Sequence, residues 1–341
     1  MPPLHYPFPD LPPAATTTEV APGVHWVRMP LPFALDHINL WLLDDGDKRV
    51  IIDAGYGNDD TRAAWTALLD ADPRPVTRVV VTHHHPDHLG LATWLTALND
   101  ARLFMTLGEY LAGHAVWHQL PGYCVSDMVT QFRAHGLDET RASALAGRGN
   151  AYRRGIPDMP SRYERLRHGS RLQINGKAWQ VVVGYGHAPE HASLYCAELG
   201  VLISGDMLLP RISTNVSVYA ATPHDDALGY FLDSIQELCN LPDDTLVLPS
   251  HGKPFKGIRA RVGQLVEHHR ERCDALLSEC SAARTAGQLL STLFPRELDT
   301  HQVMFAMGEA IAHLNHLEKR GALLRQVGAD GLIRFVANNQ R

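Results

Sequence analysis

The sequence predicts an α+β fold, and three observations carry that expectation. Apolar, β-branched runs bounded by turn residues recur from Val20 to Gly55 and again from Arg171 to Gly252. Four of the apolar runs end in histidine or aspartate. From about residue 258 the pattern changes to long helical stretches and one hairpin. With 45% apolar and 20% charged residues in 341, the chain is ordinary globular material with ample length for a large core.

Residues 1–19 are proline-rich and are expected to be an irregular extension. Residues 20–257 are expected to form the main domain. Its first strands are "GVHWVRMP", "HINLWLL" and "RVIIDAG", with "DDGD" as the turn between the last two. "DDTRAAWTALLD" reads as a helix capped by Asp59 or Asp60. "VTRVVVT" has the length of a buried strand, "LGLATWLTAL" is the helix after it, and "RLFMT" is a further strand. A helical insertion or lid is expected at about 107–168, where helical patterns alternate with Gly and Pro breaks. "RLQINGKAWQVVVGYG", "ASLYCAEL" and "VLISGDM" restore the strand pattern. A helix at about 224–240 and the strand "TLVLPSHG" complete the domain. Residues 258–341 are expected to form a small domain of three helices and the hairpin "ALLRQVGADGLIRFVA", a winged-helix pattern.

The charge balance of 31 Lys+Arg against 37 Asp+Glu, net −6, contains no basic run, which disfavours a nucleic-acid partner. The 20 histidines are many for this length. None of the five cysteines forms a CxxC pair; they read as reduced, mostly buried thiols of a cytoplasmic protein, with Cys273 and Cys280 packing on one helix face. The N-terminal stretch has no Lys or Arg before Arg28 and no apolar core of a secretory signal, and no stretch is apolar enough to span a membrane. A cytoplasmic protein without a membrane partner is expected.

The densest chemistry is "THHHPDH", directly after "VVV". Side chains alternate at a strand end, so His83 and His85 are expected to point together and His84 away. Pro86 breaks the strand and brings Asp87 and His88 beside the first pair, so one loop can serve two adjacent metal ions. His187 after "VVVGYG", Asp206 after "VLISG" and His251 after "TLVLPS" also follow strand ends. Four strand ends carrying such residues suggest one shared site along a sheet edge.

"THHHPDH" is similar to the HxHxDH signature of the metallo-β-lactamase superfamily, and "GHAPEH", "SGDM" and "SHG" resemble that superfamily's later motifs in the same order. The resemblance covers about residues 20–257. It implies a four-layer αββα sandwich with the site at the mouth between the sheets. It assigns His83, His85 and His187 to a first metal ion, Asp87, His88 and His251 to a second, and Asp206 to both. Imidazole and carboxylate donors suit two divalent ions, zinc foremost, with iron or manganese as alternatives. Two such ions hold a bridging water and lower its pKa toward neutrality, which yields a hydroxide for attack on a carbonyl or phosphoryl group. Asp87 is expected to be catalytic, ligating the second ion and orienting the nucleophile or its proton. His84 is expected to lie outside the ligand set, and His191 to have a supporting role.

The motif after Asp206, "GDMLLPRISTNVSVY", lacks the Gly/Cys-rich stretch of glutathione-thioester hydrolases. Leu209 stands where the best-known acyl-homoserine lactonases carry a tyrosine. No flavin domain follows. The C-terminal pattern resembles the winged-helix tail of the β-lactamase-like 2 branch, which contains an endoribonuclease and acyl-carrier thioesterases. The expected function is hydrolysis of a thioester or activated ester of acyl-CoA type; the alternatives are a metal-dependent endoribonuclease and a lactonase or other small-molecule hydrolase. The tail, balanced in charge, is expected to pack or to form a homodimer rather than to bind RNA. His37 (with Asp36), Tyr185, Arg211 and Asn215 are candidate contacts to a small-molecule substrate. The adjacent His268 and His269, and His313 and His316, are expected on solvated or partner-facing helix surfaces.

Overall fold

The computed structural model describes residues 3–13 and 15–338. They fall into two compact units. One comprises the chain up to Trp117 with Ala151–Thr214 and Ser234–Val262; the other comprises His118–Asn150, Asn215–Asp233 and the chain from Gly263.

The first unit contains two sheets. In the larger, β1 (Thr17–Ala21), β2 (Val24–Pro30), β3 (His37–Asp45), β4 (Lys48–Ile52), β5 (Val76–Val80), β6 (Arg102–Thr106) and β7 (Glu164–Leu166) lie side by side in chain order. β1 to β4 form an antiparallel meander. Gly46, in the "DDGD" turn, takes φ +68°, the left-handed conformation such a tight hairpin requires. From β4 onward the strands run parallel. Parallel neighbours need crossovers. Helix α1 (Asp59–Ala71) joins β4 to β5, and α2 (Pro86–Leu89) and α3 (Ala92–Asn99) join β5 to β6. Asn58 caps α1 by accepting the Thr61 amide, one residue before the expected Asp59.

Between β6 and β7 run α4 (Leu107–Trp117), α5 (Val125–Ala134), α6 (Glu139–Gly147) and α7 (Tyr152–Gly155). The stretch 107–168 is thus helical for much of its length and is divided: α5 and α6 belong to the second unit, α4 and α7 to the first. The second sheet has the order β12–β11–β10–β9–β8, with β8 (Arg171–Ile174), β9 (Lys177–Gly184), β10 (His191–Cys196), β11 (Val201–Gly205) and β12 (Leu246–Pro249). Only the β11–β12 pair is parallel, and α8 (Ala227–Glu237) lies in the connection between them.

The core follows from alternation. Trp26, Trp41, Ile52 and Val80 of the first sheet pack with Trp179, Val181, Leu194 and Ile203 of the second. Their sequence neighbours Val27, Leu40, Ile51 and Val79 face the other way, onto Trp65 of α1 and Leu95 of α3. Leu202 and Val247, on the opposite face of the second sheet, are buried as well. Central strands covered on both faces read as continuous apolar runs, which is why "RVII", "RVVV" and "VLIS" look as they do.

From Gly263 the chain belongs to the second unit, and from Ile258 it forms three helices followed by a two-stranded hairpin, as the tail pattern predicts. They are α9 (Ile258–Glu279), α10 (Ala286–Leu293) and α11 (Thr300–Lys319), followed by β13 (Leu323–Val327) and β14 (Ile333–Ala337). Thr285 with Gln288, and Asp299 with Gln302, form capping boxes that start α10 and α11. The expectation of solvated or partner-facing helix surfaces fails here for His269, His313 and His316. His269 and His313 are 1% and 0% exposed, and His316 is buried. The reason is that α11 is buried nearly all round from Ala306 to Leu317, so its polar positions face partners rather than water. His313 Nδ1 donates to the Glu309 carbonyl at 2.8 Å, and His269 and His313 meet at 3.1 Å. His316 reaches Asp226 at 2.8 Å. His268 is half-buried and accepts from Arg272 Nε at 2.9 Å.

All five cysteines are free of disulfides; Cys196 and Cys280 are buried and the others half-buried. Among the described residues, no helix is long and apolar enough to cross a membrane.

Candidate metal centre

The seven predicted donors come together in the first unit, each just beyond the C-terminal end of a strand. His83 and His85 follow β5, and Pro86 at the first position of α2 turns the chain there. His85 precedes that helix and Asp87 and His88 lie within it, so a single short turn redirects the backbone and presents all four side chains. His187 follows β9, Asp206 follows β11, and His251 follows β12.

The donors form two groups, His83, His85, His187 and Asp206 in one and Asp87, His88 and His251 in the other; within each, the donor atoms lie within 4.8 Å of one another. In the first, His83 Nε2 lies 2.9 Å from His85 Nδ1 and 3.2 Å from His187 Nε2. Asp206 Oδ2 is 3.4 Å from His187 Nε2 and 4.0 Å from His83 Nε2. In the second, Asp87 Oδ2 stands 3.4 Å from His251 Nε2 and 3.7 Å from His88 Nε2. Asp206 turns its other oxygen, Oδ1, to this group, 3.7 Å from His88 Nε2 and 3.6 Å from His251 Nε2. One carboxylate therefore faces both groups, one oxygen to each.

These residues fit divalent cations. Nitrogens whose lone pairs converge on one point repel unless a cation lies between them. The tautomers agree: His88 Nδ1 lies 2.7 Å from Asp53 Oδ2, and His251 Nδ1 lies 2.9 Å from the His37 carbonyl oxygen. Both partners only accept, so each Nδ1 carries the proton and each Nε2 is left as a donor of electrons to a metal. The buried His88 Nε2 and Asp206 Oδ1 make no hydrogen bond among the described residues. Burial, reinforced by the neighbouring imidazoles, pushes His83 and His85 well below the ordinary histidine range and keeps them neutral, the ligating form. Burial opposes ionisation of Asp206, yet the His251 and His88 imidazoles beside it hold its carboxyl well below the usual range.

The supporting residues divide into those the sequence flagged and those it did not. His84 points away from the donors, and its Nδ1 meets Glu109 Oε2 at 2.5 Å. His191 Nε2 accepts the Asp206 amide at 3.1 Å, and burial lowers its pKa to about 3, so it stays neutral. His37 holds the loop of His251: its carbonyl accepts from His251, and its Nε2 accepts the Gly252 amide at 3.1 Å. Asp53 and Glu109 escaped sequence reasoning. Asp53 accepts from the Thr82 amide, the Thr82 hydroxyl and His88. Glu109, fully buried, accepts from the His84 amide and ring and from the Glu190 amide. The one available signal for Asp53 was its position after an apolar strand, "VIID", matching the other ligand-bearing strand ends.

A cavity of about 560 Å³ opens against His251 and is also lined by His37 and Arg211. Tyr185 is exposed and lies outside that lining. Asn215 belongs to the second unit, where its side chain accepts from the Ser217 hydroxyl at 2.7 Å.

Comparison with known proteins gives this arrangement its relatives. The family model described as metallo-beta-lactamase superfamily matches residues 34–251, and that described as metallo-beta-lactamase-like, C-terminal domain, matches 273–338. A probable metallo-hydrolase of Bacillus subtilis is 27% identical over 310 residues, 87% of this chain and 92% of its own. A hydroxyacylglutathione hydrolase of Synechococcus is 27% identical over 57% of each chain. The crystal structure of a beta-lactamase domain protein from Burkholderia ambifaria superposes with a TM-score of 0.91 at 46% identity, covering 98% of both chains. With its αββα fold and its histidine–aspartate cluster at the strand ends, the chain belongs to the metallo-β-lactamase superfamily and is a metal-dependent hydrolase of that family.

Proposed function

We propose that the protein hydrolyses a thioester or similarly activated ester, of acyl-CoA type, at a site holding two divalent ions. The observation that carries the reading is the pair of donor groups sharing Asp206 beside a cavity of substrate size. His83, His85 and His187 would hold one ion and Asp87, His88 and His251 the other, with Asp206 common to both. When bound, such ions supply Lewis acidity and an activated water near neutral pH, zinc being the first choice for this donor set. The chain's own contribution is to fix those donors. Asp53 and the His37 carbonyl hold two imidazoles in the ligating tautomer, and His191 fixes the backbone of Asp206. Asp87 is partly exposed; its Oδ2 faces His251 and His88 as a donor to the second ion, and the carboxylate is placed to orient the nucleophile or its proton during attack on an acyl carbon. A thioester suits this chemistry because its acyl carbon is already electrophilic. The Synechococcus relative, named for hydrolysis of an acylglutathione, supports that bond type.

The test is metal content together with turnover by wild type and Asp87→Ala. Substrates would be acyl-CoA, S-lactoylglutathione, a lactone, a cephalosporin reporter and single-stranded RNA. About two metals per chain, with acyl-CoA cleavage reduced at least a hundredfold in the variant, supports the reading. RNA or lactone cleavage without thioester turnover replaces it.

A further inference from the structure

The cavity beside His251 has a charge pattern that the hydrolytic centre does not require. Arg28 of β2, Arg211 after β11 and Lys253 after β12 all line it, and among the described residues no aspartate or glutamate does. In a chain of net charge −6 this is a local reversal of sign. The rest of the lining is largely apolar, with Leu11, Leu35 and Ile212 among it. A concave surface that pairs apolar walls with clustered cations concentrates anions carrying an apolar part.

The wall itself comes from an unexpected place. The proline-rich N-terminal segment, expected to be irregular, is fastened along the loop that follows His251. His5 and Lys256 exchange backbone hydrogen bonds of 3.3 and 2.8 Å, and Lys253 Nζ donates to the Pro9 carbonyl. Tyr6, Pro9 and Leu11 thereby become cavity lining. The prolines suit the task because they hold an extended path with few amide donors to satisfy. Lys253 is thus committed to pinning this wall.

The two arginines are differently placed. Arg28 is half-buried, with one Nη 3.3 Å from Asp36, itself mostly exposed; its Nε is buried without a hydrogen-bond partner among the described residues. Arg211 is exposed at the rim. Guanidinium groups recognise carboxylate and phosphate with paired donors, which an ester carbonyl does not need.

Resting on the thioester reading above, we propose that this cavity is an anion subsite, with Arg28 and Arg211 selecting substrates that carry a carboxylate or phosphate beside an apolar portion. The charge can sit on the acyl side or on the thiol side, and matched probes separate the two. S-acetyl-N-acetylcysteamine is neutral, S-succinyl-N-acetylcysteamine carries a carboxylate on the acyl side, and acetyl-CoA carries phosphates on the thiol side.

The experiment measures kcat/KM for all three with the metal-loaded wild type, Arg28→Gln, Arg211→Gln and the double variant. Binding of succinate and of free coenzyme A is followed in parallel by calorimetry. The expected result is a wild-type preference of at least tenfold for one anionic probe over the neutral one. That ratio collapses toward unity in the double variant, with the loss mainly in KM, and the preferred probe identifies the charged side. Equal handling of charged and neutral probes by wild type, or a ratio that the arginine substitutions do not move, overturns the subsite. If none of the thioesters is cleaved, the thioester reading fails by itself. Calorimetry then decides the subsite: anion binding that weakens at least tenfold in the double variant upholds it, and absence of binding to wild type removes it.

Discussion

Asp53 holds His88 from the strand next door: its Oδ2 lies 2.7 Å from His88 Nδ1, across 35 positions of sequence. Asp53 adopts φ +62°, a conformation that non-glycine residues rarely take, at the point where β4 ends. The same carboxylate receives the Thr82 amide and hydroxyl at 2.7 and 2.9 Å, so it ties the end of β4 to the start of the histidine loop. Removing it frees the His88 ring to rotate and to change tautomer. Asp53→Ala should therefore weaken metal binding about 10–100-fold, the usual cost of losing a group that orients a ligand. Zinc competition against a chromogenic chelator measures this, and one of the two equivalents should leave first. Wild-type affinity for both equivalents would show that Asp53 serves only the backbone.

Glu109 does for His84 what Asp53 does for His88, but outside the donor set. It is fully buried and accepts three hydrogen bonds, two from His84 and one from the Glu190 amide at 2.7 Å. Burial works against its charge, yet His84 and the backbone amides hold its carboxyl below the ordinary range. Glu109→Ala leaves those donors buried and unanswered, which costs about 3 kcal/mol. Denaturant unfolding should show this loss. A variant within about 0.5 kcal/mol of wild type would mean that water replaces the carboxylate.

The donor set was legible because each member follows a strand end in a short, dense motif, and alternation alone separates His83 and His85 from His84. The partners were not. "IIDAG" and "LGEYL" carry single acidic residues whose role depends on contacts 25 to 81 positions away. The buried histidines of α9 and α11 were misread for a related reason. A polar residue on a helix implies water unless the opposing helix supplies a partner, and that partner is a tertiary fact. The N-terminal segment likewise gave only its prolines; its place beside His251 depends on pairing with Lys256.

Gly205 ends β11 one residue before Asp206, with φ +53°. A Cβ there would stand 2.4 Å from His191 Nε2, the atom that accepts the Asp206 amide. Gly205→Ala thus combines a disfavoured backbone with displacement of His191, and Asp206 moves with them. The expected cost is about 2 kcal/mol or more of stability, together with weakened metal binding. Thermal unfolding with and without zinc separates the effects: zinc should raise the variant's Tm less than that of wild type. An equal rise would show that Asp206 stays in place.

The buried His269–His313 pair sets a pH limit on the second unit. His313 Nδ1 donates to the Glu309 carbonyl, so its Nε2 accepts from His269 Nδ1 at 3.1 Å. A proton arriving on His313 Nε2 would face that donor with another donor. Burial, with Arg272, His268 and His316 nearby, lowers the pKa of His313 to about 4 and that of His269 to about 2. The unfolded chain binds these protons near the ordinary value of 6.5, so it holds more protons than the folded state below that pH. Stability is therefore full above about pH 6.5 and falls as pH drops toward 4. For His313 alone the fall is roughly 3 kcal/mol by the lower end. Urea unfolding at pH 7.5 and pH 5 should show His313→Gln losing less between the two pH values than wild type does, even though it is less stable at pH 7.5. Parallel losses in the two proteins would assign the acid limb to other groups.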